Sequence, residues 1–207
     1  MAAMTDTQLW ARVAAGDADA FGILFERHAR SIYNYCFRRT ADWAAAEDLT
    51  SSTFLEAWRR RSEVRLSGET ALSWLYGVAT NLARNRVRAE RRGRSALERM
   101  PRARPDDAPD LAEGVAARID DERWMREVLD RIAVLSDLDR DVFVLCVWQG
   151  LSSEQAAVAV GLAAGTVRSR LARARARLRA REAEDPGNHD DVRLASVRRS
   201  EEGRWSS

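Results

Sequence analysis

Seven arginines and no acidic residue lie between residues 165 and 181. Arginine guanidinium groups donate paired hydrogen bonds to phosphate oxygens and to guanine edges, so the chemistry that they indicate is nucleic-acid binding. A cationic helix end can also be a solvated surface that the helix dipole favours. The spacing argues for binding, because apolar residues recur at helical intervals and predict a buried face opposite the arginines. These apolar residues are Val167, Leu171, Ala174 and Leu178.

A shorter helix is predicted directly before the arginine-rich one. Ser152 and Gln155 have the spacing of a capping box, in which each side chain bonds to the other residue's backbone N–H. Gly161 then provides a turn that ends this helix. Two helices joined by a tight glycine turn, with cations on the second, are typical of a helix-turn-helix. The second helix of that motif lies in the major groove, where some arginines contact bases and others contact phosphates.

Charge is segregated along the chain, although the formal net charge is only +2 over 207 residues. Residues 84–94 contain six arginines against a single acid, Glu90, and form a second basic segment. Between the two basic segments, residues 101–122 contain seven acids and three arginines. Two basic segments separated by an acidic connector predict two separate contacts with a polyanion.

The periodicity predicts an all-α protein: two small helical domains joined by a flexible acidic linker, the C-terminal one a helix-turn-helix. The expected divisions are an N-terminal domain at 1–92, a linker at 93–119, a C-terminal domain at 120–182 and a disordered tail at 183–207. Three of the four prolines lie within the linker. Helices are expected over residues 5–15, 18–40, 43–61, 71–92, 121–135 and 137–149.

Few residues of this chain have the surroundings that catalysis or metal binding requires. Cys36 and Cys146 lie in apolar stretches without metal-ligand spacing, so we expect buried, reduced thiols. Serines such as Ser73 show no activating neighbours, so we expect no enzyme activity, no metal and no cofactor. Neither a signal peptide nor an apolar run of transmembrane length is evident, which predicts a soluble, cytoplasmic protein.

Three segments in this order resemble one family of proteins. Residues 47–59, EDLTSSTFLEAWR, and residues 73–88, SWLYGVATNLARNRVR, resemble the promoter-melting domain of bacterial sigma factors. Residues 150–178 resemble the domain of the same proteins that reads the −35 promoter element. The intervening domain of primary sigma factors is missing. The chain therefore resembles the extracytoplasmic-function (ECF) subgroup of sigma-70 family RNA polymerase sigma factors.

The resemblance implies that the helix at 43–61 docks on the core RNA polymerase, at the coiled coil of its largest subunits, with the polymerase flap as a further contact. The implied interface residues are Asp48, Leu49, Glu56, Trp58 and Arg59. The alternative is that the apolar members of this helix, Phe54 above all, belong to the core. Members of the family usually have glutamine, often followed by an acid, where Ser51 and Ser52 stand here.

The resemblance also implies two contacts with promoter DNA. The −10 element and its separated strand would meet a helix face that contains Asn81, Arg84, Asn85 and Arg88; an ordinary polar helix face is the alternative. In the recognition helix, the family pattern implies base contacts at some residues and phosphate contacts at others. The base contacts are Arg168, Ser169 and Arg173, and the phosphate contacts are Thr166, Arg170 and Arg175.

These features together predict a promoter-specificity subunit that binds core polymerase and directs initiation by reading the −35 and −10 elements. An anti-sigma factor is a further partner that the resemblance implies. Two other hypotheses remain: a stand-alone helix-turn-helix transcriptional regulator, and a DNA enzyme such as a recombinase. The first has no need of the segment at 73–88, and the second requires an activated nucleophile that the sequence does not show.

Overall fold

The computed structural model describes residues 4–66, 70–97 and 112–184, and every regular element within these ranges is helical. The predicted all-α class is therefore confirmed. The elements are α1 (Asp6–Ala14), α2 (Ala18–Thr40), α3 (Trp43–Arg59), α4 (Leu72–Leu97), α5 (Ala112–Arg131), a 3-10 turn (Ile132–Val134), α6 (Asp137–Phe143), a π-helical turn (Val144–Trp148), α7 (Ser153–Val160) and α8 (Ala164–Glu184).

Short polar residues determine where several of these helices begin. Each accepts a hydrogen bond from the backbone N–H three residues further on, which satisfies a donor that the first helical turn leaves free. These N-cap residues are Thr5, Asp17, Asp42, Ser136 and Ser152.

Helices α1 to α4 form the N-terminal domain around an apolar core. α2 packs along α3, and α4 packs against both. Leu9, Leu24, Ile32 and Leu75 are completely or almost completely buried there. Tyr35 is also buried, and its hydroxyl forms a 2.6 Å hydrogen bond with Thr80 Oγ1, so this polar group is satisfied inside the core.

Helices α5 to α8 form the C-terminal domain. α8 packs against α6 and α7, and α6 continues into the π-helical turn. Met125, Ile132, Val142 and Val167 provide fully buried side chains at the centre of this domain. The arginine-rich α8 is therefore held by apolar contacts along one side, as its periodicity predicts.

Helices extend into both ends of the predicted linker, because α4 continues to Leu97 and α5 begins at Ala112. The remainder of the predicted linker, 98–111, lies outside the described residues. The predicted tail lies outside them from residue 185 onward, and α8 extends past residue 182.

The two domains contact each other directly. α7 of the C-terminal domain packs on α4 of the N-terminal domain. A second contact joins α3 to α5, where the Trp43 backbone N–H donates to a carboxylate oxygen of Glu122 at 3.1 Å. The fold is thus more closed than two domains separated by a linker would suggest.

Candidate nucleic-acid interface

The helix-turn-helix is present as α7, a turn at Gly161, and α8. Its capping box forms as predicted: Ser152 Oγ accepts from the Gln155 N–H at 3.2 Å, and Gln155 Oε1 accepts from the Ser152 N–H at 2.9 Å. Gly161 has φ of +68°, in the left-handed region where a side chain adds strain. The glycine therefore ends α7 abruptly and directs the chain into α8.

One side of α8 is buried and the rest is open to solvent. Within the predicted apolar face, Val167, Ala174 and Leu178 are buried and Leu171 is half-buried, so this prediction is confirmed. Most of the residues predicted to contact the −35 element lie on the open side, where DNA could reach them. The exposed ones are Thr166, Arg168, Ser169, Arg173 and Arg175.

Arg170 differs from the other predicted phosphate contacts on α8. Its Nη1 donates to Asp139 Oδ1 at 2.7 Å, and its side chain is only 26% exposed. Burial alone would raise the pKa of Asp139, but hydrogen bonds from Ser136 and Arg170, with the charges of Arg170 and Arg173, lower it. In this structure Arg170 ties α8 to α6, so a phosphate contact at this position, which stays a prediction, would require the guanidinium to leave Asp139.

Arg168 also has an acidic neighbour, but this pair is at the surface. Its Nη1 lies 3.1 Å from Glu154 Oε1, and the two side chains are 62% and 68% exposed. Exposed pairs of this kind contribute little free energy, because water competes for both charges. Arg168 can therefore exchange this carboxylate for DNA at small cost.

A buried carboxylate fixes the start of α4, the second basic helix. Asp6 Oδ2 accepts from the Ala71 N–H at 2.8 Å and from Thr70 Oγ1 at 2.9 Å, and it lies 2.6 Å from His28 Nε2. Asp6 Oδ1 accepts from Arg27. Burial alone would raise the Asp6 pKa, but these hydrogen bonds outweigh it and the pKa is lowered. α1 and α2 thereby determine where α4 begins.

The residues predicted to contact the −10 element are not equally accessible on α4. Asn81, Asn85 and Arg88 are exposed. Arg84 is half-buried, and its guanidinium forms an ion pair with Asp141, a fully buried residue of the C-terminal domain. In this structure Arg84 is therefore neutralised by an acid from the other domain, and its contact with the −10 element stays a prediction.

The predicted polymerase-docking helix, α3, presents a mixture of exposed and buried residues. Asp48 and Arg59 are exposed, and Glu56 is half-buried. Leu49 is only 6% exposed and belongs to the core, so its side chain supports the surface without forming part of it. Trp58 is half-buried, and the Arg61 guanidinium lies 4.2 Å from its ring centroid.

An exposed apolar patch beside α3 was not anticipated from the sequence. Phe25 of α2 is 43% exposed and Leu55 of α3 is 50% exposed. The Phe25 ring packs edge-on against Phe54 at 4.8 Å between centroids, which holds it at the surface. Phe25 looks like a core residue by periodicity alone, and only the packing of α2 on α3 shows that it is not buried.

The two free cysteines differ in burial. Cys36 is buried, and burial raises the pKa of its thiol to about 12, whereas Cys146 is half-buried. Among the described residues no group of three or more acids, histidines and cysteines could hold a metal ion. Within the same ranges, no helix is both long and apolar enough to cross a membrane.

Two family models match the chain in the predicted order. Sigma-70 region 2 matches residues 24–93, a range that includes α3 and most of α4. Sigma-70, region 4 matches residues 125–178, a range that includes the helix-turn-helix.

Proteins of similar sequence are sigma factors. The ECF RNA polymerase sigma factor SigL of Mycobacterium tuberculosis is 30% identical over 159 residues, which cover 76% of this chain and 86% of SigL. The ECF RNA polymerase sigma factor SigK of Mycobacterium ulcerans is 29% identical over 160 residues, which cover 77% of this chain and 84% of SigK.

Solved structures agree. CnrH in complex with the cytosolic domain of CnrY matches with a TM-score of 0.63 and 26% identity, covering 87% of this chain and 98% of CnrH. The sigma factor RpoE, in complex with the anti-sigma factor NepR from Bartonella quintana, shares the fold with a TM-score of 0.55 at 21% identity, covering 77% of this chain and 94% of RpoE. These matches support a sigma factor and not a stand-alone regulator. The chain belongs to the ECF family of RNA polymerase sigma factors, which are transcription initiation factors and not enzymes.

Proposed function

We propose that the open side of α8 reads the −35 element, that the exposed face of α4 contacts the −10 element, and that α3 docks on core polymerase in the cytoplasm. One observation carries the proposal for α8. Its three predicted base-reading residues, Arg168, Ser169 and Arg173, are all exposed, while the opposite side of the helix is buried. A helix held in this way can enter the major groove without losing its own packing.

Exposure also supports the proposed −10 contacts of three residues on α4. Asn81 and Asn85 are exposed one helical turn apart, and Arg88 is exposed beyond them. Asparagine side chains can hydrogen-bond to base edges, and arginine can contact phosphates or stack on unpaired bases. These three side chains are available to the −10 element as α4 stands, and Arg84 becomes available when Asp141 moves away.

For the polymerase contact, the geometry favours a small apolar centre with charges around it. Phe25 is exposed against Phe54, Leu55 is exposed three residues before the half-buried Trp58, and Asp48 and Arg59 are exposed charges on the same helix. Protein interfaces commonly combine aromatic anchors with a polar rim. We assign the docking surface, with Leu49 as its buried support, to Phe25, Asp48, Leu55, Trp58 and Arg59.

A protein regulator is a further proposed partner. CnrH, which is 26% identical to this chain, is bound to the cytosolic domain of CnrY. We expect this chain to have a partner of the anti-sigma kind.

Reconstitution with core polymerase tests these assignments together. We expect the purified chain to direct specific transcripts from genomic DNA, and the mapped start sites will reveal the promoter sequence. Failure to produce any specific transcript would contradict the proposal.

The matched variants Arg173→Ala and Arg179→Ala then test how α8 reads DNA, because both arginines are exposed on the same helix. Arg173→Ala should weaken binding to the mapped −35 element by about 1–3 kcal/mol and relax specificity there. Arg179→Ala should have a smaller effect that is equal on all sequences. Equal losses for Arg173→Ala on matched and mismatched sites would show a phosphate contact instead of base reading.

A further inference from the structure

The helix-turn-helix contains a single acidic residue. Between residues 142 and 181 the sequence has seven arginines, and Glu154 is the only acid. Glu154 lies in the first turn of α7, where its side chain is exposed. A carboxylate on a surface that meets DNA repels the phosphates and therefore weakens binding to every sequence. A DNA-binding surface is expected to lack such a group unless the group has a role of its own.

Glu154 bonds to one particular arginine of α8. Its Oε1 accepts from Arg168 Nη1 at 3.1 Å, across the turn that joins the two helices. Arg168 is one of the residues predicted to read bases. Among the described residues, no acid forms an ion pair with Arg173, the other arginine predicted to do so. The only acid of the motif is thus bonded to a base-reading arginine.

The stability of the fold does not explain this pair. Both side chains are largely exposed, so water competes for their charges. The pair of Arg170 with Asp139 is different, because Asp139 is largely buried and needs a partner. An acid in the first turn of a helix also interacts favourably with the helix dipole, which is the alternative reason for Glu154. The dipole requires no partner on α8, however, and so it does not account for the bond to Arg168.

The Glu154 carboxylate is held in place by its own helix. Hydrogen bonds from its own backbone N–H and from the Ser152 hydroxyl lower its pKa, and the positive charge of Arg168 lowers it further. Ser152 is itself fixed, because its Oγ accepts from the Gln155 N–H in the capping box. The carboxylate is therefore charged at neutral pH and has a defined position, so it can orient the flexible arginine that bonds to it.

Arg168 is held by one side of its guanidinium group, and the other side is free. Nη1 is bonded to Glu154, and Nη2 lies over the first turn of α8, where a Cβ at Gly165 would be 3.9 Å away. Among the described residues, Nε and Nη2 have no hydrogen-bond partner. These two groups form one edge of the guanidinium, and such an edge can donate two parallel hydrogen bonds to guanine O6 and N7. Arg168 can therefore contact a base without giving up Glu154.

We infer that Glu154 is a positioning residue for sequence reading, which holds the Arg168 guanidinium so that its Nε–Nη2 edge is available to a base and does not turn to a phosphate. This inference rests on the proposed −35 role of α8. An arginine without such a partner has many rotamers and can bond to a nearby phosphate of any sequence. Glu154 thus lowers the affinity for all DNA, and it increases the difference in affinity between the correct base pair and the others.

Two substitutions at position 154 separate the contact from the charge. Glu154→Gln keeps the size of the side chain and removes its charge, whereas Glu154→Asp keeps the charge and shortens the side chain. Asp137→Asn is the matched control, because Asp137 is also an exposed acid in the first turn of a helix of the same domain, 3.9 Å from Arg140. The measurement is competitive binding of the reconstituted holoenzyme to promoter fragments in which each base pair of the mapped −35 element is changed in turn.

For Glu154→Gln we expect tighter binding to all fragments, and roughly a three- to tenfold loss of discrimination at the base pair where Arg168→Ala also loses it. Discrimination at the base pair that Arg173 reads should not change. Glu154→Asp should lose discrimination at the same base pair as Glu154→Gln, but without the general gain in affinity. Asp137→Asn should discriminate like the unmodified chain at every position.

The double variant Glu154→Gln with Arg168→Ala shows whether Glu154 acts through Arg168. In the Arg168→Ala background, Glu154→Gln should change discrimination no further. A further loss in that background, or full discrimination in either single variant at position 154, would overturn the inference and leave the −35 role of α8 standing. If Arg168→Ala loses discrimination at no base pair, the proposed base contact of Arg168 fails together with this inference.

Discussion

The two basic helices, α4 and α8, each combine exposed arginines with one arginine that an aspartate holds partly buried, but the two aspartates serve different contacts. Arg84 of α4 pairs with Asp141 across the contact between the domains, whereas Arg170 of α8 pairs with Asp139 within the C-terminal domain. The difference arises outside both helices, in the acids that α6 presents to them. Charge and spacing therefore identify a nucleic-acid surface, but tertiary contacts decide which of its cations are free.

Both ion pairs start from α6, because one of its aspartates pairs with an arginine of α8 and another pairs with an arginine of α4. Asp139 pairs with Arg170 of α8 at 2.7 Å, within the C-terminal domain. Asp141, two residues later, pairs with Arg84 of α4 in the other domain. Residues two positions apart point to different sides of a helix, so one short element can bind both basic helices. One pair stabilises a domain, and the other stabilises the contact between domains.

Arg84→Ala gives the largest expected effect and tests whether α4 differs from α8 in this way. The variant leaves Asp141 with Arg39 as its remaining cation, so we expect a loss of about 2–3 kcal/mol in the free energy of unfolding. Arg88→Ala is the control on the same helix, and because Arg88 is exposed it should change stability by less than about 0.5 kcal/mol. Urea unfolding followed by tryptophan fluorescence provides the measurement. Equal stabilities for the two variants would show that the ion pair of Arg84 with Asp141 does not stabilise the fold.

The sequence predicted what depends on local spacing. The helix-turn-helix, its capping box and the apolar face of α8 all follow from residues within about two turns of each other, and the structure confirms them. The pairs of Asp141 with Arg39 and Arg84 join residues far apart in the chain, and no local pattern indicates them. The need for glycine at position 77 is likewise not visible in the sequence. It follows from the packing of α7 on α4, because a Cβ at Gly77 would lie 2.7 Å from the backbone oxygen of Ala159.

The proposed docking surface on α3 likewise depends on packing that no local pattern indicates. Leu49 belongs to the family motif but is buried, while Leu55 in the same helix is exposed. Both are leucines within one amphipathic helix, and their difference depends on where α2 and α4 pack. Motif membership therefore indicates where the proposed surface lies, and the packing determines which side chains on it are exposed.

Arg170→Ala tests whether a cation on α8 stabilises the folded protein through its pair with Asp139. Its expected effect lies between those of the other variants. We expect a loss of about 1–2 kcal/mol in unfolding free energy, because the largely buried Asp139 loses its charged donor. Arg175→Ala, at an exposed position of the same helix, should leave stability nearly unchanged. If Arg170 bound DNA freely instead, both variants would retain stability and lose similar affinity for DNA.

The pH dependence provides a second readout for this variant. The folded pKa of Asp139 lies below its ordinary value of 3.8, so its stabilising contribution is present above about pH 4 and is lost as the pH falls through the folded pKa. Arg170→Ala moves that pKa upward. The difference in stability between the unmodified chain and the variant should therefore be greatest above about pH 4 and should narrow in more acidic solution.

The smallest expected effect tests whether the proposed polymerase docking on α3 is independent of the proposed DNA contacts on α4 and α8. Ser51 and Ser52 are exposed on α3, where the family usually has glutamine, often followed by an acid. The double variant Ser51→Gln and Ser52→Glu restores longer polar groups to the proposed docking helix. We expect core polymerase to bind the variant a few-fold more tightly, which corresponds to less than about 1 kcal/mol of binding free energy. Because neither residue lies on α4 or α8, the −10 and −35 preferences of the transcripts should remain the same. A change in those preferences would mean that docking on α3 alters how the two basic helices meet DNA, and that the three surfaces do not act independently.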